Sequence, residues 1–196
     1  MSTSPYAQGA VDAPMVWECD RYSFVAVYRA TTLTYALHGG GAEEPQAFVR
    51  YNLMRILNNL TVIDAAEPHG TLLEIKGTNL ANDWARFDII DTTTGTLLGT
   101  LRRHFWASID CDTWTLQGPD LEPLGAIRED FHGLMRHAVR ITRSYGLFVH
   151  GHRVGGLRAA WRTGWEMDLS TDPGQQLDRR LAVAMAAVII TIESLT

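Results

Sequence analysis

Arginines dominate one stretch of the chain that has no acidic residues. Between positions 132 and 165 there are six arginines and no aspartate or glutamate, in a protein with a formal net charge of −5. If His132–Arg143 is helical, Arg136, Arg140 and Arg143 fall on one face, because residues three and four apart are neighbours on a helix. Guanidinium groups bind phosphate bidentately, and basic faces lie on anionic membranes. The pattern indicates a phosphate-binding or membrane surface, or else a plain solvated face.

Other arginines stand near this stretch at the ends of apolar, turn-bounded segments. The chain has sixteen arginines and one lysine, a skew that codon usage in a GC-rich genome also explains. Both interpretations stay open on sequence alone. The candidate residues for binding an anion or a lipid are Arg102, Arg103, Arg128, Arg136, Arg140, Arg143, Arg153, Arg158 and Arg162.

Other clusters give weaker chemical signals. His150 and His152 lie on one face of a strand or on either side of a turn, but a structural zinc site needs four ligands and no complementary pair is present. Asp110 and Asp112 flank Cys111, which suits magnesium in principle and a polar loop more simply. No serine or cysteine has the neighbours of an activated nucleophile. We therefore expect no catalytic residue, no metal and no cofactor.

Composition places the chain among ordinary globular proteins. It has 196 residues, of which 46% are hydrophobic and 20% charged, which suits one domain. A net negative charge argues against a dedicated nucleic-acid partner. Two cysteines and no apparent secretory signal favour the cytoplasm, with the membrane periphery as an alternative. We expect a flexible arm over residues 1–19 and one domain over 20–196, of unknown oligomeric state.

Four segments repeat a hairpin pattern in which two apolar runs flank a polar turn. Each turn contains a glycine, where a positive φ costs least. Two further strands are predicted before them, and residues 48–59 fit either a helix or a strand, so the total is ten to twelve strands. The four hairpins are Leu60–Gly77, Phe87–Arg103, Trp114–Asp130 and Tyr145–Ala160, and the two further strands are Tyr22–Arg29 and Leu33–Leu37.

An apolar run near the C-terminus must be enclosed by protein. Leu181–Ile192 has no polar stripe, and a helix that is apolar all round is buried. It is too short for a membrane span, which needs about 20 residues. The helix is expected over about 177–194, capped by Asp172 with Pro173 or by Asp178. The sequence thus predicts a closed antiparallel β-barrel of about 12 strands around a central hydrophobic helix.

These features resemble the tubby-like C-terminal superfamily, which includes phospholipid-scramblase-like and LURP-one-related proteins. The similarity lies in FDIIDTTTGTLLGTLRR, TWTLQGPDLEPLGAIRED and LDRRLAVAMAAVIITIE, and it spans roughly residues 20–196. It implies a closed barrel of about twelve strands around a hydrophobic C-terminal helix. It also implies a non-catalytic module that binds phosphoinositide or other anionic phospholipid head groups at membranes.

Two other functions remain open. The chain can be a protein-interaction scaffold with an unknown partner, or an enzyme with a pocket on the barrel. Tryptophans are more often core or barrel-rim residues than a binding platform. If any act as interfacial anchors, we expect the pair Trp161 and Trp165, which lie inside the arginine-rich stretch.

Overall fold

A computed structural model describes residues 15–29, 31–53, 58–67, 69–77, 85–104, 112–130, 143–160, 164–172 and 177–195. Within these residues, twelve strands and one α-helix follow a short 3-10 helix at Met15–Glu18. The helix α1 is Arg179–Leu195. The strands are β1 (Arg21–Arg29), β2 (Thr32–Gly39), β3 (Ala47–Asn52), β4 (Asn58–Asp64), β5 (Thr71–Gly77), β6 (Arg86–Asp91), β7 (Thr96–Arg103), β8 (Thr113–Gln117), β9 (Pro123–Glu129), β10 (Ser144–Val149), β11 (His152–Ala160) and β12 (Gly164–Leu169).

The strands form a closed up-and-down barrel. Each strand pairs antiparallel with the next along the chain, and β12 pairs with β1 to close the ring. In that closing pair Arg21 lies opposite Asp168 and Val25 lies opposite Gly164. Closure leaves no unpaired edge strand. The predicted closed barrel of about 12 strands is confirmed.

Strand alternation fills the barrel from the inside. On β6, for example, Phe87, Ile89 and Asp91 are buried and the residues between them are more exposed. The inward residues of the other strands join them in one continuous hydrophobic core that includes the helix. The sheet therefore has a dry inner face and a solvated outer face, which is usual for an antiparallel sheet.

Helix α1 occupies the space inside the barrel. All twelve residues from 181 to 192 are buried, so every side of the helix is covered. Its alanines keep it thin enough for the sheet to surround it. The Asp178 carboxylate accepts a hydrogen bond from the Arg180 backbone N–H at 2.9 Å and caps the first turn. Of the two predicted caps, the structure uses Asp178.

Ion pairs tie the first turn of α1 to the sheet. Arg179 pairs with Asp20, and Arg180 pairs with Asp91 at the end of β6 at 2.6 Å. Burial raises the pKa of Asp91, but hydrogen bonds from Thr93, Arg180 and Thr94 outweigh it, so the net effect is a lowered pKa. Hydrogen bonds to Asp178 and Asp91 raise the pKa of Arg180.

All four predicted hairpins are confirmed, and the ambiguous region is resolved in part. Residues 47–52 form β3 and β4 begins at Asn58, so two strands flank a turn at Leu53; residues 54–57 lie outside the description. Strand β12 was not predicted, because Gly164–Leu169 lies outside the four hairpin segments. Gly95 and Gly151 have the expected positive φ of 69° and 85°. In the β8–β9 turn Leu121 has the positive φ, 62°, in place of the expected Gly118.

The last residues of the predicted N-terminal arm are ordered against the barrel. The side chain of Val16, in the 3-10 helix, is 1% exposed. The Tyr22 hydroxyl donates a hydrogen bond to the Val16 carbonyl at 2.9 Å. Residues 1–14 of the arm lie outside the described residues. The barrel domain therefore begins at or before Met15.

Candidate functional site

The two ends of the barrel differ because the strands run alternately up and down. Connections that follow odd-numbered strands meet at one end, together with the C-terminus of α1. Connections that follow even-numbered strands meet at the other end, together with the N-terminus of α1. We call the first the basic end and the second the acidic end, for the charges described next.

Six exposed basic side chains surround the basic end on the outer wall. Each lies within the last or first three residues of its strand at that end, and each is exposed to solvent. Three have a carboxylate partner on the same or the neighbouring strand: Lys76–Glu74 at 3.1 Å, Arg86–Asp88 at 3.0 Å and Arg158–Glu166 at 2.7 Å. Exposed pairs of this kind are weak and can exchange partners. This basic ring consists of Arg50, Lys76, Arg86, Arg102, Arg128 and Arg158.

Within the ring, Arg86 and Arg102 lie directly opposite each other on β6 and β7. Like charges opposite each other on a sheet destabilise it, and the Asp88 carboxylate, which pairs with Arg86 at 3.0 Å, offsets part of this repulsion. Arg50 and Arg128 form no ion pair with a carboxylate among the described residues. The ring thus carries more positive charge than its own carboxylates neutralise.

The acidic end has the opposite sign. Its turns and chain connections carry exposed carboxylates. The two exposed arginines described at this end of the outer wall each pair with a carboxylate, Arg21 with Asp168 at 3.5 Å and Arg153 with Asp130 at 3.2 Å. An acidic protein is therefore polarised along the barrel axis. The exposed carboxylates at this end are Glu18, Glu43, Glu44, Glu67, Asp120, Glu122, Asp172 and Asp178.

Two of the predicted arginines are partly buried and pair with buried carboxylates. Arg103 donates to the buried Asp112 carboxylate at 3.0 Å and lies over the Trp114 ring. Arg143 forms an ion pair with Glu193 near the C-terminus of α1. The carboxylates of these pairs are only 8% exposed. Removing either arginine would leave a buried carboxylate without that partner, which is destabilising, so both arginines contribute to the stability of the fold.

The remaining predicted arginines divide between the outer wall and the undescribed residues. Arg153 donates to Asp130 at 3.2 Å and to the Gly155 carbonyl at 3.3 Å. Arg102, Arg128 and Arg158 belong to the basic ring. The structure thus brings together three of the nine predicted residues. Arg136, Arg140 and Arg162, with the helix expected over His132–Arg143, lie outside the described residues apart from Arg143 itself.

The expectation that Trp165 is an interfacial anchor is wrong. Trp165 points inward from β12, is only 9% exposed and packs 6.2 Å from the Tyr145 ring. The physical reason is strand alternation, which places Trp165 and Met167 on the inner face. Trp161, its expected partner, lies outside the described residues.

In the part of the chain that the structure describes, no group of three metal-ligating side chains forms.

A groove runs along the outer wall over β9. It has a volume of about 460 Å³ and lies between Thr115 on β8 and Phe148 on β10. The Arg128 guanidinium lies 5.6 Å from the centre of the Phe148 ring. This stacking holds a planar group with several donors at the side of an open cavity, a geometry that suits carboxylate or phosphate.

Sequence reasoning missed three members of the basic ring: Arg50, Lys76 and Arg86. No basic run marks them, because each stands alone on its strand. Their common signal is positional, since each lies near the end of an odd-numbered strand or the start of an even-numbered one. That signal becomes readable only after all twelve strands have been assigned.

Comparisons with known proteins find no match: no family model, no curated protein and no solved structure is significantly similar to this chain. Within the described residues, no helix has both the length and the apolar character needed to span a membrane.

Proposed function

We propose that the protein is a non-catalytic module that docks its basic end on anionic, phosphate-bearing membrane surfaces. The observation that supports this proposal is the charge asymmetry of the barrel: six exposed basic side chains surround one end, and exposed carboxylates dominate the other. A protein with a net charge of −5 would be repelled by such a surface in most orientations. The polarised distribution provides one orientation in which attraction exceeds repulsion.

Exposed apolar residues at the same end favour a membrane as the partner. Leu53, after β3, and Leu195, at the end of α1, are each 46% exposed. Apolar side chains beside basic ones are typical of protein surfaces that lie in the head-group region. The closed barrel around a C-terminal helix is also the arrangement that the tubby-like resemblance implies, so membership of that superfamily stays part of this proposal.

Sedimentation with liposomes tests the proposal. Wild-type protein should bind vesicles that contain phosphatidylserine or phosphoinositide at low salt, and should not bind vesicles of phosphatidylcholine alone. Each basic residue near an anionic surface contributes about 1 kcal/mol. Changing both Arg50→Gln and Lys76→Gln should therefore weaken binding by roughly 30-fold, at about 1.4 kcal/mol per tenfold. Binding should fade as salt rises, because the Debye length falls from about 10 Å at 0.1 M to about 3 Å at 1 M.

A matched control lies at the acidic end. Arg21 is exposed and weakly paired like the members of the ring, so Arg21→Gln removes the same charge from the wrong end. It should change vesicle binding by less than about twofold, whereas Arg50→Gln alone should cost about fivefold. Equal effects of the two single changes, or no binding by the wild type, would contradict the proposal and favour the protein-interaction scaffold.

The change Arg143→Glu is unsuitable for this test. Arg143 pairs with the buried Glu193, so a glutamate there would place two carboxylates together at the barrel end. Loss of binding would then report a damaged fold. Arg136→Glu with Arg140→Glu, outside the described residues, avoids that pair and tests whether the arginine-rich stretch contributes to the same surface.

A further inference from the structure

The groove over β9 exists because a small side chain lies between two larger ones. Ala126 is opposite Thr115 on β8 and opposite Phe148 on β10. All three point outward, so the alanine forms a floor between two walls. Beside it, Gly125 lets β9 and β10 approach closely, since any side chain there would collide with the Phe148 carbonyl. The cavity is thus a built feature of the three strands.

Arg128 is positioned for a ligand in this groove. It is exposed, and its guanidinium lies over the Phe148 ring at 5.6 Å. Arg103, Arg143, Arg153 and Arg158 each pair with a carboxylate; among the described residues Arg128 forms no such pair. The aromatic ring restrains a planar fork of donors that matches carboxylate or phosphate geometry.

The lining of the groove favours an anion that also has an apolar part. No carboxylate is among the described residues that line it. Arg128 lies toward one end and His150 lies at the other; four residues along a strand separate the two ends by about 13 Å. Between them the surface is apolar, with Phe148, Leu124 and Ala126. A ligand with an apolar body and an anionic group matches this arrangement.

We infer that this groove binds a small organic anion whose apolar or aromatic body lies against Phe148 and Ala126, and whose phosphate or carboxylate is held by Arg128. This goes beyond docking on a charged surface, because it requires a defined cavity and a planar donor group. The phosphate is offered both by a free aryl phosphate and by the phosphorylated head group of a lipid, of which only the first carries its own aromatic body. The two sources are separated by experiment.

Titration with phenyl phosphate, followed by backbone amide NMR shifts, tests the inference. Inorganic phosphate carries the anion without the ring, and benzyl alcohol carries a ring without the anion. Phenyl phosphate should bind at least tenfold more tightly than either, with the largest shifts on β8, β9 and β10. Arg128→Lys keeps the charge and loses the planar fork, and Ala126→Leu fills the groove. Each should weaken binding at least tenfold, and Arg50→Lys, the matched change outside the groove, by less than twofold.

Vesicle sedimentation of the same variants separates this inference from the proposed function. Arg128→Lys and Ala126→Leu leave the net charge of the basic ring unchanged, so binding to phosphatidylserine vesicles should stay within twofold of wild type. If the natural ligand is a lipid head group, both variants should lose binding selectively on phosphoinositide vesicles; if it is a free metabolite, they should not. The inference is overturned if phenyl phosphate does not bind, or if folded Arg128→Lys and Ala126→Leu bind it as wild type does.

Discussion

Replacing Asp91 with asparagine should destabilise the protein at neutral pH and should have little effect on its stability in acid. The Asp91 side chain is 5% exposed. One of its oxygens accepts hydrogen bonds from the Thr93 backbone N–H at 2.8 Å and the Thr93 hydroxyl at 2.5 Å. The other accepts a bond from Arg180 at 2.6 Å. The carboxylate therefore joins the β6–β7 turn to the start of the central helix.

The size of the stability loss depends on which hydrogen bonds the asparagine side chain can still form. Its amide oxygen can still accept from Thr93, but the charge that faces Arg180 is gone. A hydrogen bond to a charged group contributes about 1.5–3 kcal/mol. Breaking a fully buried ion pair costs about 3–5 kcal/mol, but the Arg180 side chain is 34% exposed and stays partly hydrated. We therefore expect Asp91→Asn to lower the free energy of unfolding by about 2 kcal/mol at pH 7.

The pKa of Asp91 determines how the effect of Asp91→Asn on stability depends on pH. The native pKa of Asp91 lies below its ordinary value, which is about 3.9 for an unfolded aspartate. Stability from such a group is fully present above the unfolded pKa and is lost as the pH falls through the native one. The difference between wild type and Asp91→Asn should stay constant from pH 7 to about 5 and shrink below about 4.

Urea denaturation followed by tryptophan fluorescence at several pH values measures this. Asp168→Asn is the control, because Asp168 pairs with Arg21 at the surface with side-chain exposures of 56% and 84%. It should change stability by less than about 1 kcal/mol. The reasoning is refuted if Asp91→Asn lowers the free energy of unfolding by less than about 0.5 kcal/mol at pH 7, because charged hydrogen bonds of this kind contribute more. It is also refuted if the loss of stability at pH 3 is as large as at pH 7.

Three further changes test the central helix and the packing of the sheet around it. Ala186→Asp buries an unpaired carboxylate at a position 1% exposed; its cost of several kcal/mol is comparable with a total stability of roughly 5–15. It should prevent soluble expression, and a melting temperature within a few degrees of wild type would place the helix elsewhere. Asp178→Ala removes the helix cap and should lower the free energy of unfolding, measured by urea titration, by about 1 kcal/mol. Unchanged stability would show that the cap does not contribute. Gly99→Ala places a Cβ 2.6 Å from the Gln117 carbonyl; it should cost about 1–3 kcal/mol, and wild-type stability would show that the strands can shift freely.

The architecture could be predicted because its two strongest signals are local. The four hairpins each combine alternating apolar residues with a turn, and Leu181–Ile192 has no polar side. A helix of that kind requires an enclosure, and many strands provide one. Strand β12 was not predicted, because Gly164–Leu169 contains two charged residues and is not part of a hairpin segment with a recognisable turn.

The candidate site was less predictable because charge in sequence does not report direction. Arg102 and Arg103 are neighbours, yet one lies on the outer wall and the other pairs with the buried Asp112. Arg143 looked like part of a membrane face and instead pairs with Glu193. Only the register of the strands separates such residues, since adjacent positions on a strand face opposite sides.

The orientation of the barrel on a membrane tests the docking proposal most directly. In a background with both cysteines changed to serine, one fluorophore is attached through Leu195→Cys at the basic end and, separately, through Asp120→Cys at the acidic end. Helix α1 has 17 residues and spans about 25 Å, so the two labels differ in height by about that distance. Energy transfer to acceptor lipids in phosphatidylserine vesicles should be clearly stronger from the label at Leu195→Cys. Equal transfer from both labels, or stronger transfer from Asp120→Cys, would contradict docking through the basic end.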